Sequence, residues 1–94
     1  MAELLSDGRI DAALTGLPGW RRTGDSLART IESPSFPEAI ELVRKVAEAA
    51  EAANHHPDID IRWRKVTYTL STHSAGGLTQ LDLDLAARID ALAR

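Results

Sequence analysis

Apolar residues in the middle of the chain change their spacing once, at His55-His56-Pro57, and that change limits the folds open to it. Upstream, Phe36, Ile40, Val43, Val46, Ala47 and Ala50 recur at intervals that place them on one face of a helix. Downstream, Ile59, Ile61 and Trp63, then Val66, Tyr68 and Leu70, alternate with polar residues as in a half-dry strand. The helix has a start signal: Ser35 followed by Glu38 is a capping box, with Pro37 in the tolerant first turn. It is predicted to run through Ala53, where Asn54 tolerates the left-handed conformation that closes helices. The two alternating runs predict a hairpin turning at Arg64-Lys65.

The flanks repeat the plan. Ser6 is placed to cap a helix to about Leu14, with Ile10, Ala13, Leu14 and Leu17 as its apolar stripe. Gly16-Leu17-Pro18-Gly19 ends it. Trp20–Thr23 and Ser26–Glu32 read as strands joined by a turn at Gly24-Asp25. Ser74-Ala75-Gly76-Gly77 reads as a flexible loop. Thr79 then starts a last helix, with Asp82 in the capping-box position and Leu81, Leu85, Ala86, Ile89 and Leu92 on its apolar face. The order is helix, two strands, helix, two strands, helix. Hairpin strands pair antiparallel, and the helices cover one face of the resulting sheet.

At 94 residues this is one domain, 1–94, and with only 4% aromatic residues its core is thin. Small domains of this kind gain stability by associating, so self-association is expected, with the hairpin from Arg21 to Glu32 as the expected edge. The chain has no cysteine, which excludes disulfides, thiol nucleophiles and iron–sulfur clusters. A net charge of −3 argues against nucleic acid as a partner. No apolar run approaches the roughly 18 residues that span a bilayer, and Met1–Asp7 lacks the features of a signal peptide, so a cytoplasmic location is expected.

All the histidines, His55, His56 and His73, lie in the second half, and none is predicted on a helical face. Pro57 holds His56 in extended backbone, where neighbouring side chains point to opposite sides, so His55 and His56 are expected to do different work. His73 falls in phase with Thr67, Thr69 and Ser71 on the polar face of the preceding strand. Imidazoles titrating near about pH 6.5 suit proton transfer. Metal binding and plain solvent exposure are the other readings, and exposure is the default for loop histidines. Chelation is the poorest fit, because adjacent histidines are not a favoured chelating spacing and no His-x-x-x-His occurs. From spacing alone the cluster is a candidate acid–base site and no more.

Two blocks carry more. Glu51-Ala52-Ala53-Asn54-His55-His56-Pro57-Asp58-Ile59, and Thr72-His73-Ser74-Ala75-Gly76-Gly77-Leu78-Thr79 followed by Asp82, together resemble the signature of the pterin-4a-carbinolamine dehydratase family in letters and in spacing. Leu17-Pro18-Gly19-Trp20 and Ser35-Phe36 resemble family features too. The resemblance implies an α+β fold, a four-stranded antiparallel sheet with three helices packed on one face. It also implies dehydration of 4a-hydroxytetrahydropterin (4a-hydroxytetrahydrobiopterin) to quinonoid dihydropterin in cofactor recycling, with no metal or prosthetic group, by a homodimer or homotetramer.

By the same resemblance His55, His56 and His73 are the catalytic residues. His55 and His73 are expected as acid–base groups, and His56 as a substrate positioner or base. Glu51, Thr72, Ser74 and Trp20 are candidate substrate contacts, each with a plain alternative: a solvated glutamate, backbone-satisfying hydroxyls, a core tryptophan. Asp82 is expected as a helix cap. Leu81 departs from some animal members, which carry arginine there, and this bears on affinity rather than on reaction type. Animal members also serve as dimerisation cofactors of a homeodomain transcription factor, so a non-catalytic assembly partner of the same fold is the rival reading.

Overall fold

The computed structural model describes residues 2–94 and contains α1 (Asp7–Leu14), β1 (Arg21–Thr23), β2 (Ser26–Glu32), α2 (Phe36–Ala53), β3 (Asp58–Arg62), β4 (Lys65–Leu70) and α3 (Gln80–Leu92), with a one-turn 3-10 helix at His73–Ala75. The sheet is antiparallel throughout, in the order β1-β2-β4-β3. The architecture is thus the expected α+β one, three helices and four strands in the expected sequence. No helix of the described residues is long and apolar enough to cross a membrane.

Register decides which side is dry. Leu27 faces Leu70, Ile31 faces Val66, and Ile59 and Ile61 face Tyr68 and Val66 across the other ladder. Directly opposed residues share a face. That face is the one the helices cover, so Leu27, Val66, Tyr68 and Leu70 are buried together with Ile10, Ala39, Val46, Leu85, Ala86 and Ile89. On the other face Ala28 and Thr30 lie opposite Thr69 and Thr67, and the Thr30 and Thr67 hydroxyls meet at 2.7 Å. Strand β4 lies inside the sheet and from Val66 on alternates buried with half-buried residues, which makes it the floor of the core.

Both hairpin expectations need adjustment. The second turn falls at Trp63-Arg64, one residue earlier than expected, with Trp63 at φ 60° and 77% exposed rather than on the dry face. A bulky aromatic in the left-handed region carries a backbone cost that this two-residue turn imposes. The expected edge hairpin is half right: β1 is an edge, but β2 is interior, and the second edge is β3. On α2 the buried residues are Ala39, Val46 and Ala50, while Phe36, Ile40 and Ala47 are exposed. The packed stripe keeps Val43, Val46 and Ala50 of the expected one and adds Ala39, Leu42 and Ala49 in place of Phe36, Ile40 and Ala47. Leu81 is likewise exposed on α3, and Leu83 is buried beside Leu85.

Candidate active site

Helix α2 delivers the first two histidines by the way it ends. Asn54 adopts φ 49°, its N–H donates to Glu51 O at 3.1 Å, and the His55 N–H reaches back to Ala50 O at 3.0 Å. This is a Schellman closure, and it reverses the chain sharply before β3. His55 consequently turns inward and His56 outward: His55 is buried and His56 exposed. The two neighbours thus point opposite ways, as expected of the extended backbone before Pro57.

Helix α3 supplies the partner. Thr79 caps it, and Asp82 returns Oδ2 to the Thr79 N–H at 2.9 Å, completing the capping box. The same carboxylate places Oδ1 2.6 Å from His55 Nε2 and accepts the Thr72 hydroxyl on Oδ2 at 2.8 Å. Asp82 is 0% exposed, so every one of these contacts is made without water. A buried carboxylate is tolerated only when it is hydrogen-bonded, and here three donors reach it. A carboxylate that only accepts makes the imidazole the donor, so His55 carries its proton on Nε2. His55 Nδ1 has no hydrogen-bond partner among the described residues and is the nitrogen left for chemistry. Asp82 is therefore both the cap that was expected and the residue that orients His55. The second role spans 27 residues of chain and has no local signal.

The remaining candidates divide. His56 Nε2 lies 2.6 Å from Glu51 Oε1 in an exposed pair. Exposed pairs of this kind hold geometry weakly. His73 does not continue the strand face as expected, because β4 stops at Leu70. It opens the 3-10 turn instead, exposed, immediately after Thr72. That turn replaces the flexible loop: Thr72 N donates to Gly77 O at 2.9 Å, and Thr72 O accepts from Ala75 N and Gly76 N, both at 3.0 Å. Ser74 is exposed on the turn. Thr72 is buried, its hydroxyl committed to Asp82 and Thr79 rather than to the surface.

Trp20 stands apart. It is 4% exposed, its indole N–H donates to Asp90 Oδ1 at 2.8 Å, and Arg29 also pairs with Asp90. A ring so enclosed is a core residue with a satisfied donor, not a surface on which a substrate can stack. Gly19 fits this cluster, since a Cβ there would lie 2.7 Å from Arg29 Nε.

Among the described residues, no group of three or more His, Cys, Asp or Glu side chains is arranged to hold a metal ion. Size does not mark the chemistry either. A groove of about 660 Å³ between α2 and α3, floored by Ala49, Ala53, Leu81 and Leu85, and a cavity of about 580 Å³ beneath the N-terminal segment are both lined without the histidines. What marks two of the histidines instead is their hydrogen bonding, His55 to Asp82 and His56 to Glu51.

Residues 3–92 match the family model described as pterin 4 alpha carbinolamine dehydratase. A Nocardia farcinica protein named provisionally as a pterin-4-alpha-carbinolamine dehydratase is 67% identical over 98% of this chain and 97% of its own. A Roseiflexus castenholzii protein of the same provisional name is 61% identical over 96% and 97%. The crystal structure of a transcriptional coactivator/pterin dehydratase from Brucella melitensis superposes with a TM-score of 0.92 at 30% identity, covering 96% of this chain and 98% of that one. A pterin dehydratase-like protein described as a RuBisCO assembly factor in the alpha-carboxysome superposes with a TM-score of 0.68 at 27% identity, over 80% and 89%.

Proposed function

Because the chain belongs to the pterin 4 alpha carbinolamine dehydratase family, we propose that it dehydrates 4a-hydroxytetrahydropterin to quinonoid dihydropterin through its own histidines. The observation that carries this reading is His55, aimed by the buried Asp82 and left with Nδ1 free. In the reaction the C4a–O bond breaks while the N5 lone pair forms the C4a=N5 bond. One proton goes to the departing hydroxyl, giving water, and the N5 proton is taken away. His55 Nδ1, with Nε2 held on Asp82, is the base for the N5 proton. His73, exposed on its turn, delivers the proton to the hydroxyl. His56, oriented by Glu51, positions the substrate, with exposed Ser74 as a further contact. Each positioned proton-transfer group contributes typically about 10²–10⁴-fold.

The protein acts in this reading in the cytoplasm as a homodimer or homotetramer, with a small pterin as its substrate and neither nucleic acid nor membrane as a partner. Exposed Phe36, Ile40, Ile61 and Trp63 and the open edge of β3 support association.

The rival reading, a non-catalytic assembly partner, is favoured by one observation: the assembly factor that shares this fold. The buried His55–Asp82 pair favours the enzyme, since an assembly surface has no physical need for an imidazole fixed by a fully buried carboxylate. The deciding experiment is to generate the 4a-carbinolamine in situ and follow formation of the quinonoid product spectroscopically. Acceleration proportional to protein concentration, in the presence of a chelator, is expected. A rate equal to that without protein leaves the assembly reading.

A further inference from the structure

Thr72 touches both halves of the site. Its side chain belongs to the buried network: Oγ1 lies 2.8 Å from Asp82 Oδ2 and 2.8 Å from Thr79 Oγ1. Asp82 can only accept, so the Thr72 hydroxyl donates to it and the Thr79 hydroxyl donates to Thr72. The Leu81 N–H donates in turn to Thr79 Oγ1 at 3.3 Å. The donors run in one direction, from the α3 N-terminus through Thr79 and Thr72 onto the carboxylate that holds His55. Its backbone belongs to the other half. Thr72 pairs with Gly77 and its carbonyl closes the turn whose first residue is His73.

We propose that Thr72 is a positioning residue that couples His55 to His73, and not a substrate contact; this rests on the dehydratase reading above. At 4% exposure it has no surface to offer a ligand. Loss of its hydroxyl removes one of three direct donors to Asp82 and leaves the Thr79 hydroxyl without its acceptor. His55 is then held by a carboxylate free to tilt, while the turn bearing His73 loses its anchor to α3. Both proton-transfer groups drift together. Substrate affinity, set at the exposed rim, stays.

Thr72→Val keeps the branched shape and deletes the hydroxyl; Thr72→Ser keeps the hydroxyl and deletes the methyl. The expected result is a split. Val lowers kcat about tenfold with KM within twofold, and Ser retains more than half of native kcat. A rise in KM with kcat unchanged for Val would make Thr72 a substrate contact and overturn the proposal. So would equal losses for Val and Ser, which would point to packing alone. Should Val fail to fold, Thr72→Cys, with a similar volume and a poor donor, is expected to fall between native and a tenfold loss, and native kcat in that variant would overturn the proposal equally.

Nitrogen-15 NMR of the imidazoles reads the same coupling without any turnover. Native protein should show His55 as the Nε2–H tautomer with a slowly exchanging proton, and exchange should quicken about tenfold in Val or Cys but not in Ser. An unchanged exchange rate in both Val and Cys would overturn the coupling. Absence of dehydratase activity in native protein with the NMR pattern intact would instead remove the functional reading and leave the coupling standing.

Discussion

Asp82 holds His55 on Oδ1 and the Thr72 hydroxyl and the Thr79 amide on Oδ2. Asp82→Asn keeps the size but offers His55 an amide that can donate. It therefore permits the opposite tautomer, with the proton on Nδ1. The expected outcome in steady-state kinetics is at least a tenfold fall in kcat, with a smaller change in KM. His55→Ala should also cost stability, about 1–3 kcal/mol, because it strips a donor from a buried carboxylate. His73→Ala, on an exposed turn, should stay within about 0.5 kcal/mol of native. Urea unfolding of the two variants measures the contrast.

Tyr68 offers a separate test at this scale. Its ring is fully buried on the dry face, and its hydroxyl lacks a partner among the described residues. Burial pushes its pKa from 10 up to about 12. A group that is harder to ionise in the folded state contributes stability that is complete below about pH 10 and is lost as pH rises through about 12. As the only tyrosine, it can be followed directly by its phenolate absorbance. A midpoint near 12 is expected, and Tyr68→Phe should abolish the decline in urea stability between pH 10 and 12. A midpoint near 10 in folded protein would contradict its burial.

At the scale of elements, the cap residues do most to aim the site. Asn54 at φ 49° closes α2 and turns His55 inward. Asn54→Gly should be neutral or slightly stabilising, whereas Asn54→Ala should cost about 1–2 kcal/mol for placing a Cβ in the left-handed region. Thermal melts of the two variants check it. Elements of this kind are legible in sequence because their signals are local. Ser35 with Glu38, Asn54 before His55, and Thr79 with Asp82 each lie within one turn of the structure they dictate, and the helices begin and end where these residues place them. Strand alternation was legible only until a turn interrupted it. Trp63 and His73 both continue an alternating pattern in the sequence, yet each sits just past a strand end where the backbone changes conformation. The His55–Asp82 contact was illegible for a different reason. It is produced by packing α3 against the end of α2, and no periodicity records which carboxylate that packing will bring to which imidazole.

For the molecule as a whole, a thin core, an open β3 edge and exposed Ile61 and Trp63 beside it point to association. Sedimentation at micromolar concentration should give a species heavier than the 10.2 kDa chain, and a monomer would count against it. The central claim, however, concerns chemistry: separate imidazoles of one chain move the two protons of a carbinolamine dehydration. Its most direct test is the rate of that dehydration, with chelator present, for native protein and for the double replacement of His55 and His73 by alanine, with circular dichroism confirming that the variant is folded. Native protein is expected to accelerate the reaction, and the folded double variant to approach the rate without protein. A folded double variant that retained near-native turnover would contradict the account, because the chemistry would then lie elsewhere in the molecule.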